Sequence, residues 1–326
     1  MPPLPPVKNP QSPKPSKPAS LPTPHSRSAS LSASLSPWIS LLGLWHLTSL
    51  DAPTAAVCWA LGFAWAASVR LPLWIPVALG LGTWAIYIAD RLLDAWRATT
   101  PLRERHYFHW RYRWIFLPVA VAAMAIAVRL VFADMAPAVR QRNAVLALAA
   151  AAYFVAVHSG HMSRLAGGPR RWWLRLSKEA MVGLLFTLVC AAPTLARTRA
   201  GTAQMLAPMA ACFLLAWLNC WLIERWDARA AAGGWLAALL AASSLLAAIL
   251  AVSRAAPRPA ALLACVAASA ALLAGLDRLA GSDRLAGSDR LAERKSVSLS
   301  ALTLRAAADF VLLTPLFPLL LSLAWR

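Results

Sequence analysis

Nine long apolar runs, separated by short arginine-rich blocks, limit the fold of this sequence more than any other feature. Each run is close to the roughly 17–25 residues that a helix needs to cross a hydrocarbon core of about 30 Å. Lipid offers no hydrogen-bond partners to a backbone, so a spanning segment of this kind must be helical. We therefore predict an all-α, polytopic membrane protein with about nine transmembrane helices. These cover residues 53–69, 71–89, 114–132, 143–162, 178–195, 204–224, 234–253, 259–276 and 302–325.

Composition excludes a water-soluble domain as the main body of the chain. Hydrophobic residues make up 60% of the 326 residues and charged residues 14%, whereas soluble domains contain about 45–50% apolar and about 25% charged residues. The net charge of +19 raises nucleic acid as a partner. However, the arginines lie in short blocks between apolar runs, which is typical of topology signals. We expect membrane lipids, and no nucleic acid, as partners.

The basic residues are distributed unevenly among the predicted loops. Nineteen lysines and arginines follow the even-numbered helices, and seven lie between an odd-numbered helix and the next one. Positively charged loops remain in the cytoplasm, so the bias predicts a cytoplasmic N-terminus and cytoplasmic even-numbered loops. We expect an integral, multi-pass protein of a bacterial inner membrane.

The sequence predicts a tail and a short helix before a transmembrane domain at 52–326, and a loop within that domain. Residues 1–36 are rich in proline and serine, which favours a disordered cytoplasmic tail. The apolar stretch within 37–51 is too short to span a bilayer and favours an interfacial helix. Residues 277–294 repeat the motif DRLAGS. A six-residue period matches no helical repeat, so we expect a low-complexity cytoplasmic loop there.

Two aspartates mark the end of the second predicted helix. Asp90 and Asp94 are four residues apart, a spacing that places both carboxylates on one helix face. Mg²⁺ takes one or two carboxylates and completes its shell with water and substrate phosphate. The alternative is a solvated helix end in which both aspartates pair with Arg91 or Arg97.

A second polar group marks the end of the sixth predicted helix. Asn219 lies within the span, and Glu224 and Asp227 follow it on neighbouring positions of a helix. Polar groups at membrane depth are rare and are usually functional or paired. We expect the two acidic groups to face each other. Asp309, four residues after Arg305, favours a local ion pair with that arginine.

The arrangement resembles the UbiA superfamily of intramembrane prenyltransferases, which has nine transmembrane helices and Asp-rich motifs at the cytoplasmic ends of helices 2 and 6. The segment DRLLDA at 90–95 is similar to the second half of the first family motif, while Ile86 and Tyr87 stand where Asn and Asp are usual. In the second motif, Asn219 and Asp227 match the ends, Cys220 and Ile223 replace inner acids, and Glu224 lies one position later.

The resemblance implies Mg²⁺-dependent transfer of a prenyl group from an isoprenyl diphosphate to an unknown acceptor at the cytoplasmic side of the membrane. Catalysis would rest on Asp90 and Asp94. The resemblance assigns the Mg²⁺ ligands to Asp90, Asp94, Glu224 and Asp227. It assigns substrate contacts to Arg91, Arg97, Arg103, Arg105, Lys178, Asn219 and Tyr87.

Two other functions remain open from the sequence. The changed motifs suit a non-catalytic scaffold or lipid-binding protein on the same fold. Prolines within the spans, such as Pro76 and Pro193, are features that transporters share. No internal symmetry of the transporter type is visible, so transport is the weakest of the three hypotheses.

Overall fold

The computed structural model describes residues 37–98, 104–158, 172–198, 203–228, 233–286 and 301–324, and every regular element in these ranges is an α-helix. The predicted all-α class is therefore confirmed for the described residues. The helices are α1 (Pro37–Leu47), α2 (Asp51–Ala66), α3 (Trp74–Arg97), α4 (Glu104–Arg111), α5 (Arg113–Asp134), α6 (Pro137–His158), α7 (Trp172–Leu195), α8 (Ala203–Asp227), α9 (Gly234–Ser253), α10 (Pro257–Ala286), α11 (Ala301–Val311) and α12 (Leu316–Ala324).

Five described helices are long and apolar enough to cross a membrane, and α11 with α12 forms a sixth span if the bent pair is counted as one. The number of predicted spans, nine, is therefore not confirmed in the described part of the chain. The difference comes from α2, which has only 16 residues, and from α3 and α6, which carry charged residues in the last two turns and the first two turns, respectively. The five spans are Arg113–Asp134, Lys178–Leu195, Ala203–Asp227, Gly234–Ser253 and Pro257–Gly281.

Helix α2 lies at the centre of the bundle. It packs against α3, α7, α10, α11 and α12, and its Trp59 and Phe63 are fully buried. Most of its other buried residues are alanines, whose small side chains let neighbouring helices approach closely. The short helix is therefore held on nearly all sides by protein.

The outer helices expose apolar side chains instead of polar ones. A surface of this kind is unfavourable in water, because each exposed apolar side chain leaves hydrocarbon area in contact with solvent. It suits a lipid environment, so the described helices form an apolar bundle that is consistent with an integral membrane protein. Exposed examples are Ile115, Leu117, Val121, Ile126 and Phe132 on α5, and Leu239, Leu245, Leu246, Ile249 and Leu250 on α9.

The last apolar segment breaks between α11 and α12, whose axes differ by 46°. Pro315 lies in the break, and its missing N–H leaves the carbonyl of Val311 without its usual donor. The hydroxyl of Ser269 in α10 donates to that carbonyl at 2.7 Å. The indole of Trp59 donates to the carbonyl of Leu312 at 3.0 Å. Neighbouring helices thus satisfy backbone groups that lipid would leave unpaired.

The observed helix ends correct the predicted start of the low-complexity loop and leave other sequence-based predictions untested. Helix α10 continues to Ala286, so the low-complexity loop expected at 277–294 does not begin at 277, and 287–294 lies outside the described residues. The short helix expected within 37–51 is present as α1, while its interfacial position remains a prediction. The predicted tail at 1–36 and the end of the predicted helix at 143–162 lie outside the described residues.

Candidate functional site

Polar side chains collect at one end of this apolar bundle. The end of α1, the start of α2 and the last turn of α11 meet there, because His46 contacts both Asp51 and Asp309. The last turns of α8 join them, since Asn219 donates to Asp309 at 3.2 Å. Helix α4 is attached through the Ser49 hydroxyl, 3.3 Å from the Nε2 of His109. Five helices or helix ends therefore contribute to one polar region, defined here as the polar end.

Asp90 and Asp94 lie in the last two turns of α3, on the border of the polar end. The Oδ2 of Asp90 is 2.9 Å from the Nη1 of Arg91, as the solvated-end alternative expected. The Oδ2 of Asp94 is 3.7 Å from the Nε2 of His106 in α4. Both carboxylates keep contact with solvent, with 33% and 46% of the side chain exposed.

The acidic groups of α8 divide between two environments. Asp227 forms an ion pair with Arg305 of α11, and both side chains are largely buried. Glu224 is exposed and neighbours the carboxyl group of Glu179 in α7. Among the described residues, no three of the four predicted Mg²⁺ ligands place their carboxylate oxygens within 4.8 Å of one another.

Three guanidinium groups converge at the polar end. Arg91 comes from α3, Arg105 from α4 and Arg305 from α11. Burial, followed by the positive charges of Arg91 and Arg305, lowers the pKa of Arg105 to about 10. The Nε of Arg105 is buried without a hydrogen-bond partner among the described residues. A region with three positive guanidinium groups, one of which has an unused N–H donor, can bind an anion.

The remaining predicted substrate residues are placed less uniformly. Arg97 is exposed and lies over the ring of Trp96. Lys178 is also exposed, and its carbonyl accepts a hydrogen bond from the hydroxyl of Tyr153 at 3.4 Å. Tyr87 faces the polar end, with the guanidinium of Arg91 5.1 Å from its ring centroid. Arg103 lies outside the described residues.

The sequence analysis missed a compact group of one histidine and two aspartates. The Nδ1 of His46 is 2.9 Å from an oxygen of Asp51 and 3.2 Å from an oxygen of Asp309. The predicted local pair of Asp309 with Arg305 is wrong, because Arg305 instead contacts Asp227. The available signal was the scarcity of ionisable residues in apolar segments, since each of these three interrupts one.

Comparison of the chain with protein-family models, with curated proteins and with solved structures finds no match. The resemblance to prenyltransferases therefore rests on the residues described above. What the fold and the polar end define together is an all-α, apolar helix bundle with a charged region at one end.

Proposed function

We propose that this protein is an integral membrane enzyme that transfers a prenyl group from an isoprenyl diphosphate to an acceptor, with Mg²⁺ as cofactor. The observation that carries the proposal is that the buried Arg105 interacts electrostatically with Arg91 and Arg305, while Arg91 also contacts Asp90. A diphosphate is a compact anion that arginines bind well. An apolar bundle provides the surface that an isoprenyl tail requires.

In this proposal, different residues of the polar end have different roles. Arg91, Arg105 and Arg305 would hold the diphosphate and stabilise the charge that develops as it leaves. Tyr87, beneath Arg91, would face the cationic allylic carbon through its ring. Asn219 would orient the substrate from α8.

Asp90 and Asp94 suit Mg²⁺ by their chemistry. They are two carboxylates one helical turn apart that keep contact with water, and Mg²⁺ usually binds through one or two carboxylates while retaining water ligands. Bound there, Mg²⁺ would supply Lewis-acid stabilisation of the departing diphosphate. Glu224 remains a proposed ligand. Asp227 fits this task poorly, because its carboxylate is held by Arg305.

The membrane arrangement is part of the same proposal. The five long spans and the bent α11–α12 pair would be completed by α2, α3 and α6, which makes nine crossings. The polar end would face the cytoplasm, in agreement with the excess of basic residues in the loops that follow even-numbered predicted helices. Localisation in a bacterial inner membrane follows from this interpretation.

The test is binding and turnover of geranylgeranyl diphosphate by the full chain in nanodiscs. Replacement of Arg105 by Gln should weaken binding about 10- to 100-fold, as expected for a lost hydrogen bond to a charged group. The exposed Arg254→Gln, at the end of α9, is the matched control and should change affinity less than about twofold. Equal effects of the two substitutions would contradict the assigned anion site.

Turnover separates the enzyme from a lipid-binding protein on the same fold. Release of pyrophosphate is measured with a membrane lipid extract as the source of acceptor, with and without Mg²⁺. The enzyme hypothesis expects Asp90→Asn and Asp94→Asn to abolish release while the diphosphate still binds. The ion pair of Asp227 with Arg305, which occupies one predicted metal ligand, favours the second hypothesis, under which the wild type binds the diphosphate but releases nothing.

A further inference from the structure

We propose that His46, Asp51 and Asp309 form a binding site for a transition-metal ion, with Zn²⁺ as the ion of choice. The site is separate from the proposed Mg²⁺ ligands at Asp90 and Asp94. It joins the end of α1 and the adjacent first turn of α2 to α11, which is distant from both in sequence. The proposed metal ligands are not used in the prenyl-transfer proposal, and only the neighbouring Asn219 is shared by the two proposals.

The two distances from His46 to the carboxylates match the spacing of neighbouring ligands around a metal ion. Zn²⁺ binds imidazole nitrogen at about 2.0–2.1 Å and carboxylate oxygen at about 2.0–2.2 Å. With ligand–metal–ligand angles of roughly 90–110°, adjacent donor atoms lie about 2.9–3.4 Å apart. The Nδ1 of His46 is 2.9 Å and 3.2 Å from the two carboxylate oxygens, and all three donor atoms lie within 4.8 Å of one another.

The orientation of the His46 imidazole favours a bound metal ion over a proton that His46 shares with the two carboxylates. Both distances also suit hydrogen bonds, but the Nδ1 of His46 makes no aligned hydrogen bond to either carboxylate. Both oxygens therefore lie close to this nitrogen but outside the direction in which it would donate a hydrogen. A metal ion bound to this nitrogen would be near both carboxylates.

Asn219 provides an independent indication of a missing ligand. Its side chain is 4% exposed, and its Nδ2 donates to Asp309 at 3.2 Å. The neighbouring Oδ1 is buried and has no hydrogen-bond partner among the described residues. An unsatisfied amide oxygen is costly away from water, and an amide beside a metal-ligating carboxylate can bind the ion or its water.

Charge and ligand type select the class of ion. Two carboxylates face one imidazole in a region where His46 is 2% and Asp51 4% exposed, so a divalent cation would balance the negative charge there. Imidazole nitrogen is a poor ligand for Mg²⁺ and a good one for Zn²⁺ and its neighbours in the transition series. The ion would fix α1 to the start of α2 and to α11.

The experiment uses the full-length protein in detergent, stripped with a chelator and supplied with Zn²⁺ alone. Elemental analysis should find about one Zn²⁺ per chain. Zn²⁺ at about 100-fold above its Kd should raise the midpoint of thermal unfolding by roughly 5 °C, and Mg²⁺ at the same concentration should not. His46→Gln should lose the bound Zn²⁺ and the thermal shift. His106→Gln, which alters the histidine beside Asp94, should keep both.

A second measurement on the wild type covers the case in which His46→Gln does not fold. Co²⁺ added to the stripped protein should give visible absorption bands that Zn²⁺ then removes. Absence of these bands, together with no thermal shift from Zn²⁺, would overturn the proposal. Equal Zn²⁺ content in His46→Gln and the wild type would overturn it as well.

Discussion

The carboxylate of Asp277 accepts a hydrogen bond from the indole Nε1 of Trp226 at 2.8 Å. The same carboxylate accepts the backbone N–H groups of Gly233 at 2.9 Å and Gly234 at 2.8 Å. The first N–H groups of a helix have no partner within the helix. Asp277 of α10 therefore caps the N-terminus of α9 from outside and ties it to the end of α8.

Replacement of Asp277 by Ala should destabilise the protein by about 2–4 kcal/mol, because two buried donors and one partly buried donor would lose their acceptor. Asp277→Asn should cost less, since its amide oxygen can still accept. The measurement is reversible unfolding in mixed micelles. Arg278→Ala, an exposed neighbour on the same helix, is the control and should stay within about 0.5 kcal/mol of the wild type. A similar cost for Asp277→Ala and Arg278→Ala would show that the cap contributes little.

The ion pair between Asp227 and Arg305 predicts strong coupling in a double-mutant cycle. The two side chains are only 16% and 12% exposed, so removal of one partner leaves a buried charge uncompensated. Asp227→Asn and Arg305→Gln should each cost about 2–4 kcal/mol. The double variant should cost less than their sum, by about 1–3 kcal/mol.

The same cycle tests whether Asp227 has a metal-binding task. If the carboxylate acts only through Arg305, Asp227→Asn should leave the Mg²⁺ dependence of pyrophosphate release unchanged. Asp134→Asn, at the exposed end of α5, controls for loss of a carboxylate from the surface. Additive single effects, with a coupling near zero, would be incompatible with the ion pair.

The apolar spans could be predicted because their signal is local. The predicted ranges 178–195 and 234–253 coincide with Lys178–Leu195 and Gly234–Ser253, since length and hydropathy of one segment suffice to define a span. The number of spans was less predictable. Helix α2 is short and enclosed by protein, so its neighbours, and not its own length, determine its position.

The partners of the polar side chains could not be predicted from spacing alone. Asp309 was assigned to Arg305 because the two lie one helical turn apart, yet Asp309 contacts His46, and Arg305 contacts Asp227. Each observed contact joins different helices, so it depends on how the bundle is assembled. The position of Asp90 and Asp94 near the end of one helix could be predicted from spacing, because it needs only that helix. Their role as a site stays a prediction.

Gly183 allows α7 and α8 to approach closely, which predicts an unusual sensitivity to a single methyl group. A Cβ at this position would lie 2.9 Å from the backbone nitrogen of Trp217 and 3.1 Å from the carbonyl oxygen of Phe213. Both atoms belong to the backbone of α8 and cannot rotate away. Gly183→Ala should therefore force the helices apart and destabilise the protein by about 1–3 kcal/mol.

Gly275 of α10 provides the matched control for this substitution. A Cβ there would meet no atom within 4 Å. Gly275→Ala should then stabilise the protein by about 0.5–1 kcal/mol through the helix propensity of alanine. Thermal unfolding in detergent compares the two variants directly. A neutral result for Gly183→Ala would mean that the contact between α7 and α8 adjusts without cost.

His109 should make the stability of the protein depend on pH. It is buried, and its Nδ1 lies 2.8 Å from the carbonyl of Arg105. A carbonyl can only accept, so Nδ1 carries the proton of the neutral ring and Nε2 faces the hydroxyl of Ser49. Burial lowers the pKa of His109, and the hydrogen bond to the Arg105 carbonyl opposes this in part. The charges of Arg91 and Arg105 lower the pKa further, and the charge of Asp51 opposes them least.

Because the folded-state pKa of His109 lies below its unfolded value of about 6.5, the unfolded chain binds more protons in that interval. The contribution of His109 is therefore fully present above about pH 6.5 and is lost as pH falls toward the folded-state pKa. Unfolding midpoints measured between pH 5 and pH 8 should fall more steeply on acidification in the wild type than in His109→Gln. His106→Gln should keep the wild-type slope, because it leaves His109 in place. Identical slopes in the wild type and His109→Gln would show that His109 is not protonated preferentially on unfolding.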